Sequence, residues 1–171
     1  VGRLTKNKDH QTLLEAFRLM NDTVPSRLLI LGEGPERGSL EKIIAETGLA
    51  DRVQLPGFVD TPWAWVAKSS LFVLSSFAEG SGNVLTEAMA VGTPVVSTDC
   101  PSGPSEMLDG GRIAPLVPVG DAKALAAACI DVLNSGIKSS LLDEAVAPFK
   151  AEVAAKHYLA FMNVGVPSST Y

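Results

Sequence analysis

Cysteine and histidine are nearly missing from this sequence, with two of each in 171 residues. Cys100 and Cys129 do not make a disulfide framework, which points to a reducing compartment. His10 and His157 stand apart without metal-ligand spacing, so no metal site is expected. No apolar run approaches the roughly 20 residues of a membrane-spanning helix, and no signal peptide is visible. The net charge is −5 with no Lys/Arg cluster, which argues against a nucleic-acid surface. What is present is globular sequence, 46% apolar and 19% charged, long enough for one domain with a substantial core. The chain opens on Val1 and its first residues read as a strand end, so an excised piece of a longer protein is expected.

Apolar runs and helical periods alternate along the chain. Residues 9–20 place Leu13, Leu14, Phe17, Leu19 and Met20 at helical spacing. Residues 27–31 are a continuous apolar run stopped by Gly32-Glu33-Gly34-Pro35, the pattern of a strand buried on both faces. A second amphipathic helix follows at 36–47, then a short strand at 53–55 broken by Pro56-Gly57. Residues 62–68 read as a short helix carrying Trp63 and Trp65, and 71–74 as another buried strand. A helix at 83–91 and strands at 93–97 and 113–117 come next. The Ala-rich helix 122–133, with Asp121 as N-cap, suits close packing against a neighbour. Residues 141–147 and 152–162 are two further helices. This alternation predicts an α/β fold with a mostly parallel sheet and right-handed crossovers on both faces. Ligands in such sheets bind beyond the carboxyl ends of the strands, here at loops 3–8, 32–35, 57–61, 79–83 and 99–104. Residues 1–163 are expected to form one domain, and 164–171 a disordered polar tail.

Two glutamates flank a glycine-rich turn in Glu79-Gly80-Ser81-Gly82-Asn83-Val84-Leu85-Thr86-Glu87. Such a turn opening a helix is a ready anion site, because the first helical N–H groups lack internal partners. Carboxylates do not improve a phosphate site; they accept hydrogen bonds from hydroxyls. Phosphate donors and carboxylate acceptors together suit a nucleotide-sugar.

Several motifs, in order, resemble the C-terminal domain of retaining GT-B glycosyltransferases of family 4. They are Val1-Gly2-Arg3-Leu4 with Lys8, Leu31-Gly32-Glu33-Gly34-Pro35, the glutamate pair eight positions apart, and Ala88-Met89-Ala90 continuing to Gly92-Thr93-Pro94-Val95-Val96. Asp99-Cys100-Pro101-Ser102-Gly103-Pro104-Ser105-Glu106 resembles a bacterial surface-polysaccharide subgroup. The resemblance spans roughly residues 1–133. It implies a Rossmann-like three-layer sandwich that forms one half of a GT-B enzyme, with the N-terminal half holding the acceptor. It also implies independence of metal or cofactor.

The roles implied by the resemblance are specific. Arg3 and Lys8 face the donor diphosphate and stabilise charge on the leaving group, in place of a metal; otherwise they are solvated loop cations. Glu87 binds the ribose hydroxyls, or is plain helix-surface charge. Glu79 binds a hydroxyl of the donor sugar, or is an exposed turn acid favoured by the helix dipole. Gly80, Ser81, Gly82, Asn83 and Val84 offer backbone N–H groups to sugar and phosphate. Gly32 and Gly34 permit close backbone approach, or make a tight turn. Val59, beside Phe58 and Asp60, lies by the nucleotide base. Trp63 and Trp65 suit core or interface packing better than base stacking, and Cys100 suits packing better than reactivity. Ser81 replaces the family's usual aromatic. A nucleophilic Glu79 is not favoured, since the family is usually described by same-face attack, with positioning and leaving-group stabilisation carrying the rate.

The expected function is transfer of a hexose-type sugar from a UDP-, GDP- or ADP-sugar to a glycan or lipid-linked acceptor in cell-surface polysaccharide synthesis. The isolated piece should bind donor without transferring it. A cytoplasmic location follows, at the inner face of the membrane if the full-length enzyme associates peripherally. A nucleotide-sugar epimerase and a non-catalytic nucleotide-binding domain are the alternatives. The first would need acid/base residues at the strand ends, where no histidine stands.

Overall fold

The structure is a computed structural model that describes residues 1–21 and 23–162; the expected tail at 164–171 lies outside them. Strands β1 (Leu28–Leu31), β2 (Val53–Gly57), β3 (Phe72–Leu74), β4 (Val95–Thr98) and β5 (Leu116–Val117) alternate with helices. All observed pairings are parallel, in two groups ordered β1-β2 and β3-β4-β5. Residues 1–5 bridge them at the carboxyl ends. Gly2 N–H donates to Leu31 C=O at 2.9 Å and Leu4 N–H to Glu33 C=O at 2.8 Å, while Phe77 N–H donates to Asn7 C=O at 3.0 Å. The opening residues run beside the end of β1 through these bonds but form no strand of their own, unlike the strand end their sequence suggested.

Helices cover the strands in two layers. On one side lie α1 (His10–Asn21), α2 (Arg37–Glu46) and α6 (Ala122–Ser135). On the other lie α3 (Pro62–Val66), α4 (Asn83–Ala90) and α7 (Ser139–Val146). Adjacent residues of β4 serve both layers: Val96 packs in the first core and Val95 in the second, each fully buried, because neighbouring side chains on a strand point to opposite faces. β1 is buried on both faces at its carboxyl half, as expected: Ile30 and Leu31, which point opposite ways, are 3% and 4% exposed, and only Leu29 departs, at 37%.

The Ala-rich helix behaves as its composition predicts. Ala126, Ala128 and Cys129 lie on its buried face and let α1 approach closely. Asp121 caps it, accepting from Ala124 N–H at 2.9 Å. Leu125 and Leu14 fill this interface; burying each contributes about 1.5–3 kcal/mol. The expected loop 99–104 ends in a short helix, α5 (Pro104–Met107), because Pro104 starts it after Gly103 turns the chain at φ 113. The last strand is confined to Leu116–Val117, shorter than the apolar run that announced it. The final helix, α8 (Ala151–Phe161), falls where expected.

Candidate functional site

The site is assembled at the carboxyl ends of β1, β3 and β4. After Leu4 the chain makes a single 3₁₀ turn, Lys6–Lys8, and Asp9 takes a left-handed conformation at φ 44. The Asp9 carboxylate caps α1, accepting from Thr12 N–H at 3.2 Å and Thr12 Oγ1 at 2.7 Å. This holds Lys8 just ahead of the helix. Its carbonyl accepts from Ser75 Oγ at 2.8 Å, anchoring the loop to the end of β3.

Lys8 and Glu79, both singled out in the sequence, meet here. Lys8 Nζ lies 2.7 Å from Glu79 Oε1 and 3.0 Å from Oε2. The side chains are only 19% and 9% exposed. Ser76 Oγ donates to the same Oε1, and Thr98 Oγ1 donates to the Ser76 carbonyl. Glu79 is thus an acceptor locked by the Lys8 ammonium and the Ser76 hydroxyl.

The turn 80–83 follows directly. Gly82 has φ 63, a left-handed conformation that favours glycine, and is buried with Pro104 and Met107 at ordinary contact distance. No side chain caps α4, which starts at Asn83, so its first N–H groups point out of the turn without a side-chain acceptor. Gly80, Ser81 and Asn83 form one wall of a cleft of about 670 Å³ whose other wall includes Ser102, Gly103 and Phe149. Val84 is half-buried behind Asn83. Glu87 is exposed one turn further along α4, on the same face as Asn83, and partial desolvation pushes its carboxyl above the ordinary range.

Among the described residues, no hydrogen bond or ion pair joins the other candidates to this pair. Arg3 is exposed, and its guanidinium has no ion pair among the described residues. Val59 is half-buried in the loop after β2, beside Phe58 at 78% exposure. Gly32 and Gly34 serve the protein's own backbone. A Cβ on Gly32 would sit 1.8 Å from Gly2 C=O, and one on Gly34 would sit 2.3 Å from Leu4 C=O. The close approach predicted for these glycines is therefore to the segment that carries Arg3 and Lys8.

The family profile of glycosyl transferases group 1 matches residues 1–135. The chain belongs to that family. Among relatives, LpsE of Rhizobium meliloti, a lipopolysaccharide core biosynthesis glycosyltransferase, is 32% identical over 167 residues, covering 95% of this chain and 48% of its own length. The N-acetylgalactosamine-N,N'-diacetylbacillosaminyl-diphospho-undecaprenol 4-alpha-N-acetylgalactosaminyltransferase of Campylobacter jejuni is 36% identical over 145 residues, covering 84% of this chain and 37% of its own. Sucrose-phosphate synthase from Thermosynechococcus elongatus superposes with a TM-score of 0.81 at 29% identity, over 95% of this chain and 44% of that one. Anabaena HepE, solved with UDP, superposes with a TM-score of 0.80 at 23% identity, over 95% and 47%. The fold is that of the GT-B glycosyltransferases, as the sequence resemblance implied. The chain spans less than half the length of these relatives.

In this glycosyltransferase chain, sequence reasoning missed the groups that hold the pair. Ser75 and Ser76 are 4% and 0% exposed, and Thr98 is fully buried. The available signal was two consecutive serines directly after the apolar run 71–74. Cys100 is buried below Glu79; burial first, then the Glu79 carboxylate, raises its thiol pKa, which fits packing. Trp63 packs at the edge of the second core, while Trp65 is 43% exposed. No cluster of three metal-ligating side chains occurs among the described residues. No single described helix is long and apolar enough to cross a membrane, though α6 and the segment Ser139–Phe149 reach that length together across a 117° bend.

Proposed function

We propose that this chain is the donor-binding half of a retaining glycosyltransferase that moves a hexose-type sugar from a nucleotide-sugar to a glycan or lipid-linked acceptor in cell-surface polysaccharide synthesis. The observation that carries this reading is the Lys8–Glu79 pair at the carboxyl end of β3, beside an uncapped helix start. A cation and an acceptor carboxylate side by side match the boundary between a diphosphate and a sugar. The UDP held by Anabaena HepE and the undecaprenol-linked acceptor named for the Campylobacter relative favour the same assignment.

Each residue then has a task. Lys8 and Arg3 neutralise the diphosphate and stabilise the charge that develops on the leaving group, which needs no metal. Glu79 accepts from a sugar hydroxyl and orients the anomeric carbon. The N–H groups at 80–84 cap phosphate oxygens. Glu87 accepts from the ribose hydroxyls. Backbone groups near Val59 face the base. Gly32 and Gly34 hold the cation-bearing segment in place. The acceptor enters from the other half of the full-length protein, at the inner face of the cytoplasmic membrane.

Isothermal titration of this chain with UDP-, GDP- and ADP-sugars tests the reading. One nucleotide series should bind in the micromolar to millimolar range, with negligible transfer by the chain alone. A folded chain that binds none of the three would sink the assignment.

A further inference from the structure

The two serines that directly follow β3 each hold one member of the ion pair. Ser75 Oγ donates to the Lys8 carbonyl at 2.8 Å, and Ser76 Oγ donates to Glu79 Oε1. Through these two bonds the segment just past β3 grips both the loop before α1 and the turn before α4. Thr98, fully buried on β4, donates to the Ser76 carbonyl and ties this grip to the sheet centre.

The lone-pair count of the carboxylate then becomes decisive. Each carboxylate oxygen offers about two acceptor positions. Oε1 uses both, accepting from Ser76 and Lys8; Oε2 uses one, accepting from Lys8. We propose that Ser76, braced by Thr98, is a positioning residue that turns Glu79 so that Oε2 alone faces the ligand and accepts one sugar hydroxyl. This rests on the donor-site reading above. Without the Ser76 hydroxyl, the carboxylate can rotate about its last torsion and Oε2 is no longer held toward the sugar. A merely structural serine would affect the whole site alike. A positioning serine affects the sugar and spares the nucleotide.

The experiment compares affinities for UDP and UDP-glucose, or for the corresponding pair of the nucleotide series this chain binds best. The gain in affinity on adding the sugar is the readout. Ser76→Ala is expected to cut that gain roughly tenfold while nucleoside diphosphate affinity changes less than about twofold. Thr98→Val, close in shape, should cut it in the same direction by less, and Thr98→Ser should restore it. If Ser76→Ala does not fold, the Thr98 pair gives the reading. An unchanged gain in folded variants overturns the positioning role and leaves the donor site standing, as does equal weakening of both ligands. A wild-type chain that binds neither ligand overturns both.

Discussion

Lys8 and Glu79 are 71 positions apart in sequence, yet the lysine ammonium contacts both oxygens of the glutamate. The pair is mostly shielded from water, so each partner compensates the other's desolvation. Removing one leaves a poorly hydrated charge, whose cost exceeds the net worth of the pair itself. Lys8→Met is expected to cost about 2 kcal/mol of stability, lowering Tm by roughly 4–8 °C at this chain length. The double variant Lys8→Met/Glu79→Gln should recover about 1 kcal/mol of the summed loss. Urea unfolding of all four species measures this. Strict additivity would show that the pair contributes nothing through its contact.

The loop that carries the cations depends on glycine for space. At Gly32, φ is 136 and a Cβ would collide with the Gly2 carbonyl. Gly32→Ala should cost about 2–4 kcal/mol and weaken nucleotide binding with it, because the segment bearing Arg3 and Lys8 must shift. Around Gly80 the space is open. Gly80→Ala should stay within about 0.5 kcal/mol of wild type. Denaturant midpoints for the two variants distinguish a packed glycine from a free one.

His10 gives the fold a pH dependence. Burial, then the nearby amino terminus and Lys8, lower its pKa from 6.5 to about 4. The unfolded chain therefore binds more protons than the folded chain between those values, and stability falls as pH falls from 6.5 toward 4. The contribution lost is roughly 2–3 kcal/mol. His10→Gln should flatten that part of the stability curve. A curve equally steep with and without His10 would remove it as the cause.

Both thiols should be silent in the folded protein. Cys100 is buried and its pKa raised, and burial pushes Cys129 up to about 12. The thiolate is the reactive form. A chromogenic disulfide reagent at pH 8 should therefore report no fast-reacting thiol until urea is added, and then two. Rapid labelling of the native chain would contradict the packing role assigned to Cys100.

The periodic elements were the most legible part of the sequence. Helix α6, its Asp121 cap and the strand-helix alternation were readable because burial stamps a local period on the residues. The glutamate pair was readable because a glycine-rich turn between carboxylates is unusual chemistry over a short span. The apolar run of β1 marked burial on both faces, which Ile30 and Leu31 show, but not how far along the strand the cover extends; Leu29 lies beyond it. Ser75, Ser76 and Thr98 were missed for a related reason. A serine after an apolar run looks like the start of any loop until its partner is known.

By itself the sequence determined the layered α/β order, the placement of the polar loops at one end of the strands, and the residue types of the proposed nucleotide-sugar site. All of these depend on neighbours within a few positions. Only the tertiary structure decided that Lys8 turns to Glu79, that Gly32 and Gly34 make room for the protein's own opening segment, and that Ser76 donates to a Glu79 oxygen that Lys8 also contacts. Those outcomes rest on contacts between residues far apart in sequence. Packing alone brings such groups together, and local sequence carries no record of the distance between them.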